Sequence, residues 1–407
     1  MKRKVIVSIT FVVLLCSIVL CVINQKKAPF IEGVIVEKNE RFFTIETDIQ
    51  EKIVCTLPKE YDYQDISLGD NIRVYYKGEI LETSPARIKN VKEIKKISSP
   101  CKRKGANMKK NKIVNKIGIL VLAVMLSILS SITVLASEPE EAELGPRQDI
   151  SKNLTTGEIT VNEIPANLNK NSSDVMEPFI PEGMKVDPTT REVIGPDNRY
   201  RITDTTAYPN SAICYMEMKF PDDDGLYVGT AWMYGERVAM TAGHCVYDAS
   251  LGGWAEWVRI YPGSNGGTSP YGVHYASVLH TDTKYIESEN SNYDWGLLEF
   301  SSDIGSSTGY FGASWTTSSL VGTGIVVRGY PVEKNAQMWS MSGSIAASGT
   351  FKLSYYIDTT GGQSGSPVYK NDGNYRCVGI HTNYNSLGYN QAERIDESLF
   401  DIMNQYR

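Results

Sequence analysis

The C-terminal half of this 407-residue chain reads as an all-β fold. Three observations point there. From about residue 205 onward the apolar residues fall into runs of strand length; Gly, Asn and Asp break the chain between them; and helical periodicity is confined to Asp396 to Tyr406. In order the runs are "AICYMEMKF", "GLYVGTAWMYG", "RVAMTAGHCVYD", "WVRIYPG", "DWGLLEF", "TGIVVRGYP", "SYYID" and "YRCVGIHTN". Short strands over about 200 residues with one closing helix predict a β-barrel or a pair of barrels.

The N-terminal half is of a different kind. Residues 1–27 have a basic start followed by an apolar stretch from Val5 to Ile23, long enough to span a bilayer and without a small-x-small cleavage site, so an anchor or uncleaved signal is expected. Residues 28–100 form a second region, in which positions 31–98 alternate apolar and polar in "EGVIVEKN", "RFFTIETD", "EKIVCTLP" and "LGDNIRVYYKGEI". About five short strands in a small barrel or curled sheet are predicted, a pattern similar to the small OB-like domains of Gram-positive envelope proteins. A second signal-like segment, 108–136, begins at Met108 and ends in Val134-Leu135-Ala136, a signal-peptidase site. Residues 137–192 are polar and rich in Pro, Asn and Glu, the composition of a pro-segment or linker.

Two export signals in one polypeptide conflict. Were Val5–Ile23 inserted with its basic end inside, the seven Lys and Arg from Lys102 to Lys116 would lie outside, against their preference for the cytoplasmic side. The expected resolution is that Met108 starts an exported protein and that residues 1–107 are a separate product. The other reading, a protein with two membrane spans, leaves the C-terminal part inside.

Charge and cysteines narrow the function classes. The net charge is −6, and residues 193–407 hold 13 Lys+Arg against 22 Asp+Glu, a balance of −9. A nucleic-acid partner is not expected from so acidic a region. The seven cysteines form no CxxC or Cys/His spacing, so neither metal nor cofactor is expected. Asp222, Asp223 and Asp224 suggest a calcium loop but read better as a solvated turn. Cys214, Cys245 and Cys377 are an odd number, which allows one disulfide and leaves a thiol over.

Three stretches carry chemistry. "TAGHCV" puts His244 just past a strand, "NYDWGLLEF" puts Asp294 at the start of one, and "GGQSGSPV" sets Ser364 in a glycine turn. A serine hydroxyl needs a base of pKa near neutral within reach, and a carboxylate on the other imidazole nitrogen holds the correct tautomer. In a tight turn the N–H groups of Gly362 and Ser364 converge on a developing oxyanion. The set predicts acyl transfer through a serine, with His274 and His280 left as structural histidines.

With their order His, Asp, Ser, these stretches, together with "VIGPDNRYRITDTTAYPNSAI" and "GIHTN", resemble the glutamyl endopeptidases, the V8-like group of secreted bacterial serine proteases. The resemblance runs from about residue 193 to 407. It implies a chymotrypsin-like double β-barrel with a C-terminal helix, a cleft holding His244, Asp294 and Ser364, protein or peptide substrates, a secreted zymogen and, by default, a monomer. Membrane association would follow only if residues 1–107 belong to the same product. Many relatives pair the cysteine after the catalytic His with one in a "CTGW"-like stretch; here that stretch is "VGTAW", so a Cys214–Cys245 pairing and two free thiols both stay open.

Specificity has two opposed readings. By the same resemblance His381, with the Thr359 hydroxyl, receives a substrate carboxylate, which gives cleavage after Glu and more weakly Asp. Asp358 stands where an acid at the pocket floor of trypsin-like enzymes selects Lys or Arg. By the same resemblance maturation is expected at Glu192–Val193, with cutting after Arg191 by another protease as the alternative; in some family members the free terminal amine helps to recognise the acidic side chain, which makes Val193 a candidate substrate-binding residue and leaves its role here open. A rival from another class is a non-catalytic envelope-binding protein on a protease-like barrel.

Overall fold

From Ile213 onward the runs become strands whose burial follows their composition. In Ile213–Lys219 and Trp257–Pro262 buried and half-buried residues alternate, as in sheets covered on one face, whereas Tyr227–Met233 is buried throughout. The computed structural model describes residues 29–38, 42–47, 52–57, 63–76, 80–81, 86–88, 91–97, 147–164, 173–187, 199–384 and 389–407. The expected signal segments 1–27 and 108–136, and Glu192 and Val193, lie outside them. Among the described residues no helix is long and apolar enough to cross a membrane.

Six strands form a closed ring. Pro367–Lys370 pairs with Gly324–Gly329, which pairs in turn with Trp339–Ser348; Lys352–Tyr355, Asn390–Arg394 and Arg376–Tyr384 follow, and the last pairs back onto Pro367–Lys370. Ile325, Val327, Ile345, Leu353, Tyr355, Val368 and Val378 fill this barrel. The other sheet is an open half-barrel built on Trp257–Pro262, Ile213–Lys219, Tyr227–Met233, Val238–Thr241, Gly296–Glu299 and Val278–Asp282. Its core joins Met216, Met218, Trp232, Met240, Leu279, Leu297 and the apolar face of the C-terminal helix Glu397–Tyr406. Asp396 caps that helix by accepting the Leu399 N–H at 2.9 Å.

The half-barrel does not end at Val278–Asp282. Asp149–Asn153 pairs antiparallel with it, and Ile159–Val161 with Asp149–Asn153, while Ser173–Met176 pairs with Gly312–Thr316. The stretch read as pro-segment or linker therefore carries three strands. Its composition hides them because the inward positions of the first are polar: Asp149 and Ser151 are buried. Both Asp149 oxygens lie 3.1 Å from His280 Nδ1, and the Tyr406 hydroxyl donates to Asp149 at 2.5 Å.

Among the described residues of the range 30–96 there are seven short strands, where about five are predicted. Phe30–Lys38 pairs with Phe42–Glu46 and Asn71–Tyr76, and the curled sheet encloses Ile35, Phe43, Ile45, Ile53, Ile72 and Val74. Ile80–Leu81 pairs with Asn383–Tyr384 at the edge of the closed barrel.

Candidate active site

Strand register brings His244 and Asp294 together. Thr241 is paired with Gly296, so a residue three beyond the first and one two before the second emerge at the same end of the half-barrel. His244 sits there in the turn Gly243–Cys245, and Asp294 follows the turn Ser291–Tyr293. One carboxylate oxygen of Asp294 lies 2.8 Å from His244 Nδ1, and the other accepts the His244 backbone N–H at 2.8 Å. Both side chains are wholly buried. Burial pulls the imidazole pKa down, but the Asp294 charge and hydrogen bond outweigh it and hold the ring above its ordinary value. Burial likewise raises Asp294, and the imidazole more than reverses this, with Lys352 adding to the lowering.

Ser364 comes from the other barrel and is tied across. Thr230, on the central strand of the half-barrel, donates its N–H to the Ser364 carbonyl at 2.8 Å and its hydroxyl to the Gly362 carbonyl at 2.9 Å. Gly365 has φ +87° and packs so closely on the other sheet that a Cβ would lie 2.0 Å from the Thr230 carbonyl oxygen and 3.1 Å from Ala242 N. Ser364 thus approaches the chain two residues before His244. Its Oγ donates to the Thr382 carbonyl at 3.3 Å, and His244 Nε2 is buried with no partner among the described residues. Catalytic hydrogen bonds often tighten only when substrate arrives.

Before Ser364 the chain makes a close turn. Gly362 has φ +92°, and a Cβ there would meet the Tyr330 carbonyl oxygen at 2.5 Å. The N–H groups of Gln363 and Gly365 donate to Thr360 and His381 carbonyls at 3.2 and 2.7 Å, whereas those of Gly362 and Ser364 reach no acceptor among the described residues. Arg199 braces the turn, donating to Thr360 Oγ1 at 2.8 Å and pairing with Glu333 at 2.9 Å.

His381 is fully buried beside this turn, with its N–H on the Ser366 carbonyl at 2.9 Å. Its Nδ1 lies 2.6 Å from the Tyr355 hydroxyl. Thr359 is half-buried and Asp358 exposed. Val193 lies outside the described residues. Cys214, Cys245 and Cys377 are all free and buried, so the Cys214–Cys245 bond is not formed. At the acidic turn, Asp223 accepts the Gly225 N–H at 2.8 Å and the Tyr227 hydroxyl. Among the described residues no three His, Cys, Asp or Glu side chains are grouped to hold a metal ion.

Tyr355, Thr230 and Arg199 were not legible as site residues. Each reaches its partner over a separation that neither motif nor periodicity marks, 26 residues for Tyr355 and His381.

A closed six-stranded barrel against a half-barrel, with these stretches at their junction, is the chymotrypsin-like fold, and the chain is a serine endopeptidase. The trypsin-like peptidase domain matches residues 229–380. A glutamyl endopeptidase of Bacillus licheniformis is 42% identical over 226 residues, which are 53% of this chain and 69% of that protein. By these relations the chain belongs to the glutamyl endopeptidase, V8-like family. A Bacillus subtilis protein named extracellular metalloprotease is 37% identical over 51% of this chain and 67% of its own length. A Staphylococcus aureus glutamyl endopeptidase is 29% identical over 58% and 71%. Among solved structures, a Glu endopeptidase in complex with MPD covers 52% of this chain and 98% of its own at 30% identity, with a TM-score of 0.47.

Proposed function

We propose that this endopeptidase cuts peptide bonds after Glu, and more weakly after Asp, with Ser364 as nucleophile, His244 as general base and Asp294 as its orienter. The observation that carries the reading is the two-point hold of Asp294 on His244, at Nδ1 and at the backbone N–H, both 2.8 Å. A proton fixed on Nδ1 leaves Nε2 as the acceptor, and Nε2 is the ring atom that has no protein partner among the described residues. Ser364 Oγ turns from the Thr382 carbonyl to His244, gives up its proton as it attacks, and the N–H groups of Gly362 and Ser364 receive the carbonyl oxygen. The imidazolium then protonates the leaving amine, and water repeats the sequence on the acyl-enzyme.

Specificity for an acidic side chain is supported by His381. Tyr355 donating to Nδ1 places the ring proton on Nε2, from which a substrate carboxylate can accept. Asp358, the residue on which Lys or Arg specificity would rest, is exposed rather than sunk at a pocket floor. Secretion through the 108–136 signal and maturation at Val193 belong to the same reading.

The test is mass spectrometry of a denatured protein digested by the matured full chain. Cuts after Glu, absent with Ser364→Ala, are expected. Cuts after Lys or Arg would overturn the specificity, and undiminished cutting by Ser364→Ala would overturn the triad. Failure of a serine-directed phosphonate to label Ser364 would favour the envelope-binding alternative.

A further inference from the structure

We propose that Lys352 is a positioning residue for the catalytic triad: its ammonium, held between Glu393 and the Thr382 hydroxyl, fixes the residue whose carbonyl holds Ser364 and supplies a positive charge near Asp294. The inference rests on the triad reading above and extends it to a lysine that neither motif nor periodicity marks.

The strand Lys352–Tyr355 sorts its residues by face. Leu353 and Tyr355 belong to the core of the closed barrel, where the Tyr355 hydroxyl meets His381. Lys352 takes the opposite face by alternation, and the register sets it across from Glu393. Its Nζ lies 3.1 Å from one carboxylate oxygen of Glu393 and donates to Thr382 Oγ1 at 3.3 Å. The Thr382 carbonyl is in turn the acceptor of the Ser364 hydroxyl. One short strand thus supports the specificity histidine from its last residue and the neighbour of the nucleophile from its first.

Charge gives the lysine a second part. The Glu393 side chain is wholly buried and that of Lys352 largely so, and a carboxylate in such a place is costly unless a cation accompanies it. Burial raises the pKa of both Asp294 and Glu393. His244 and then Lys352 bring Asp294 below its ordinary value, and Lys352 is the foremost cation opposing the rise at Glu393, to which Asp294 adds. The charged and titratable groups around the ammonium are therefore Glu393 and Asp294, with the His244 imidazole and the buried Tyr285 phenol beyond Asp294. In the uncut chain Arg147 also pairs with Glu393, at 2.6 Å from its other oxygen. Arg147 lies upstream of the expected mature start, and removal of that segment leaves Lys352 as the ion-pair partner of Glu393 among the described residues.

Lys352→Met and Lys352→Arg in the full chain, matured and counted by titrating Ser364 with a serine-directed phosphonate, test the role. Per titrated site, Lys352→Met should lower kcat about tenfold with KM for a Glu peptide changed less than about twofold. Removing a cation near the His244–Asp294 pair makes the imidazolium easier to form. Because the base must be neutral to act, the acid limb of kcat/KM against pH should then move up by roughly half a unit or more. Lys352→Arg, which keeps the charge, should leave the limb at its wild-type place and recover part of kcat. Undiminished kcat in Lys352→Met would overturn the proposal. So would a fall in kcat with the acid limb unmoved, which is what a lysine that only supports the fold gives. Where Lys352→Met does not fold, the double variant Lys352→Met/Glu393→Gln leaves neither charge buried alone. Its kcat should stay about tenfold low, because Thr382 has lost the ammonium, and full kcat would overturn the proposal. Ser364→Ala runs beside these: if it remains active, the triad reading fails first, whereas an inactive Ser364→Ala beside a Lys352→Met enzyme of wild-type kcat and pH profile sinks only the role of Lys352.

Discussion

Asp294 makes two bonds to one residue, and the second matters as much as the first. Holding the His244 backbone N–H as well as Nδ1 restrains the residue at two points, and a carboxylate at Nδ1 favours the tautomer with its proton there. Replacing Asp294 with Asn keeps the shape but offers a donor where an acceptor is needed; kcat should fall about 10⁴-fold with KM little changed, read from steady-state kinetics. At the other end of the site, in the proposed reading, the Tyr355 hydroxyl donates to His381 Nδ1 and leaves the ring proton on Nε2, the reverse of the tautomer that the Asp294 carboxylate favours in His244. Tyr355→Phe should lower kcat/KM for Glu peptides by about tenfold, the worth of one lost buried hydrogen bond, while slow cleavage after uncharged residues is unaffected. An equal loss on both substrates would show that Tyr355 only supports the fold. At this scale His244, Asp294 and Ser364 could be put forward from the sequence because each lies in a short stretch at a turn, whereas His381, inside the strand Arg376–Tyr384, was reached only through the resemblance. Their supports were not legible, because a buried tyrosine or threonine reads in sequence as ordinary strand.

The strand Asp149–Asn153 shows where patterning fails among elements. Strands are recognised by apolar alternation, and this one turns Asp149 and Ser151 inward. Its anchor is His280, with Asp149 on Nδ1, Glu299 on Nε2 at 2.9 Å and the Tyr406 ring beside it. Burial pulls the His280 pKa down, yet the two carboxylates carry it above its ordinary value. A histidine raised on folding lends stability that is fully present below its unfolded pKa of about 6.5 and is lost as pH rises through the folded value. Hydrogen exchange at the Ile150 to Asn153 amides should therefore speed up, beyond its intrinsic base dependence, as pH climbs above about 6.5, and His280→Gln should remove that excess. A neighbouring pair of elements offers a different test. A Cβ at Gly229 would lie 3.2 Å from Cys245 Sγ, and its other close neighbours are the mobile ends of Met216 and Met218. Gly229→Cys should therefore crosslink to Cys245 under oxidising conditions, closing a loop of about 15 residues and adding about 3 kcal/mol. The gain should appear as a rise in Tm that reductant abolishes.

For the molecule as a whole, short alternating runs and a single amphipathic segment announced an all-β fold with a closing helix, while the endopeptidase was announced by the three motif stretches and the family they resemble. The sequence did not announce that the half-barrel borrows a strand from upstream, because that pairing joins residues whose only common signal is polarity. The apolar cluster of residues 35–91 contains no member from the protease, and neither of the two protease clusters contains one from it. The connection between them described here is the pairing of Ile80–Leu81 with Asn383–Tyr384. A chain beginning at Met108 should accordingly unfold with the Tm of the protease transition in the full chain, as read by calorimetry; a fall of many degrees would show that the curled sheet supports the protease. The four described cysteines are all reduced and buried, and burial drives the Cys214 and Cys377 thiols far from ionising. Cohesion in the protease part thus comes from packing, ladders and buried ion pairs, and owes nothing to oxidation. Such an enzyme should keep the same activity in an anaerobic, thiol-rich medium as in air, which a peptide-cleavage assay with and without reductant checks.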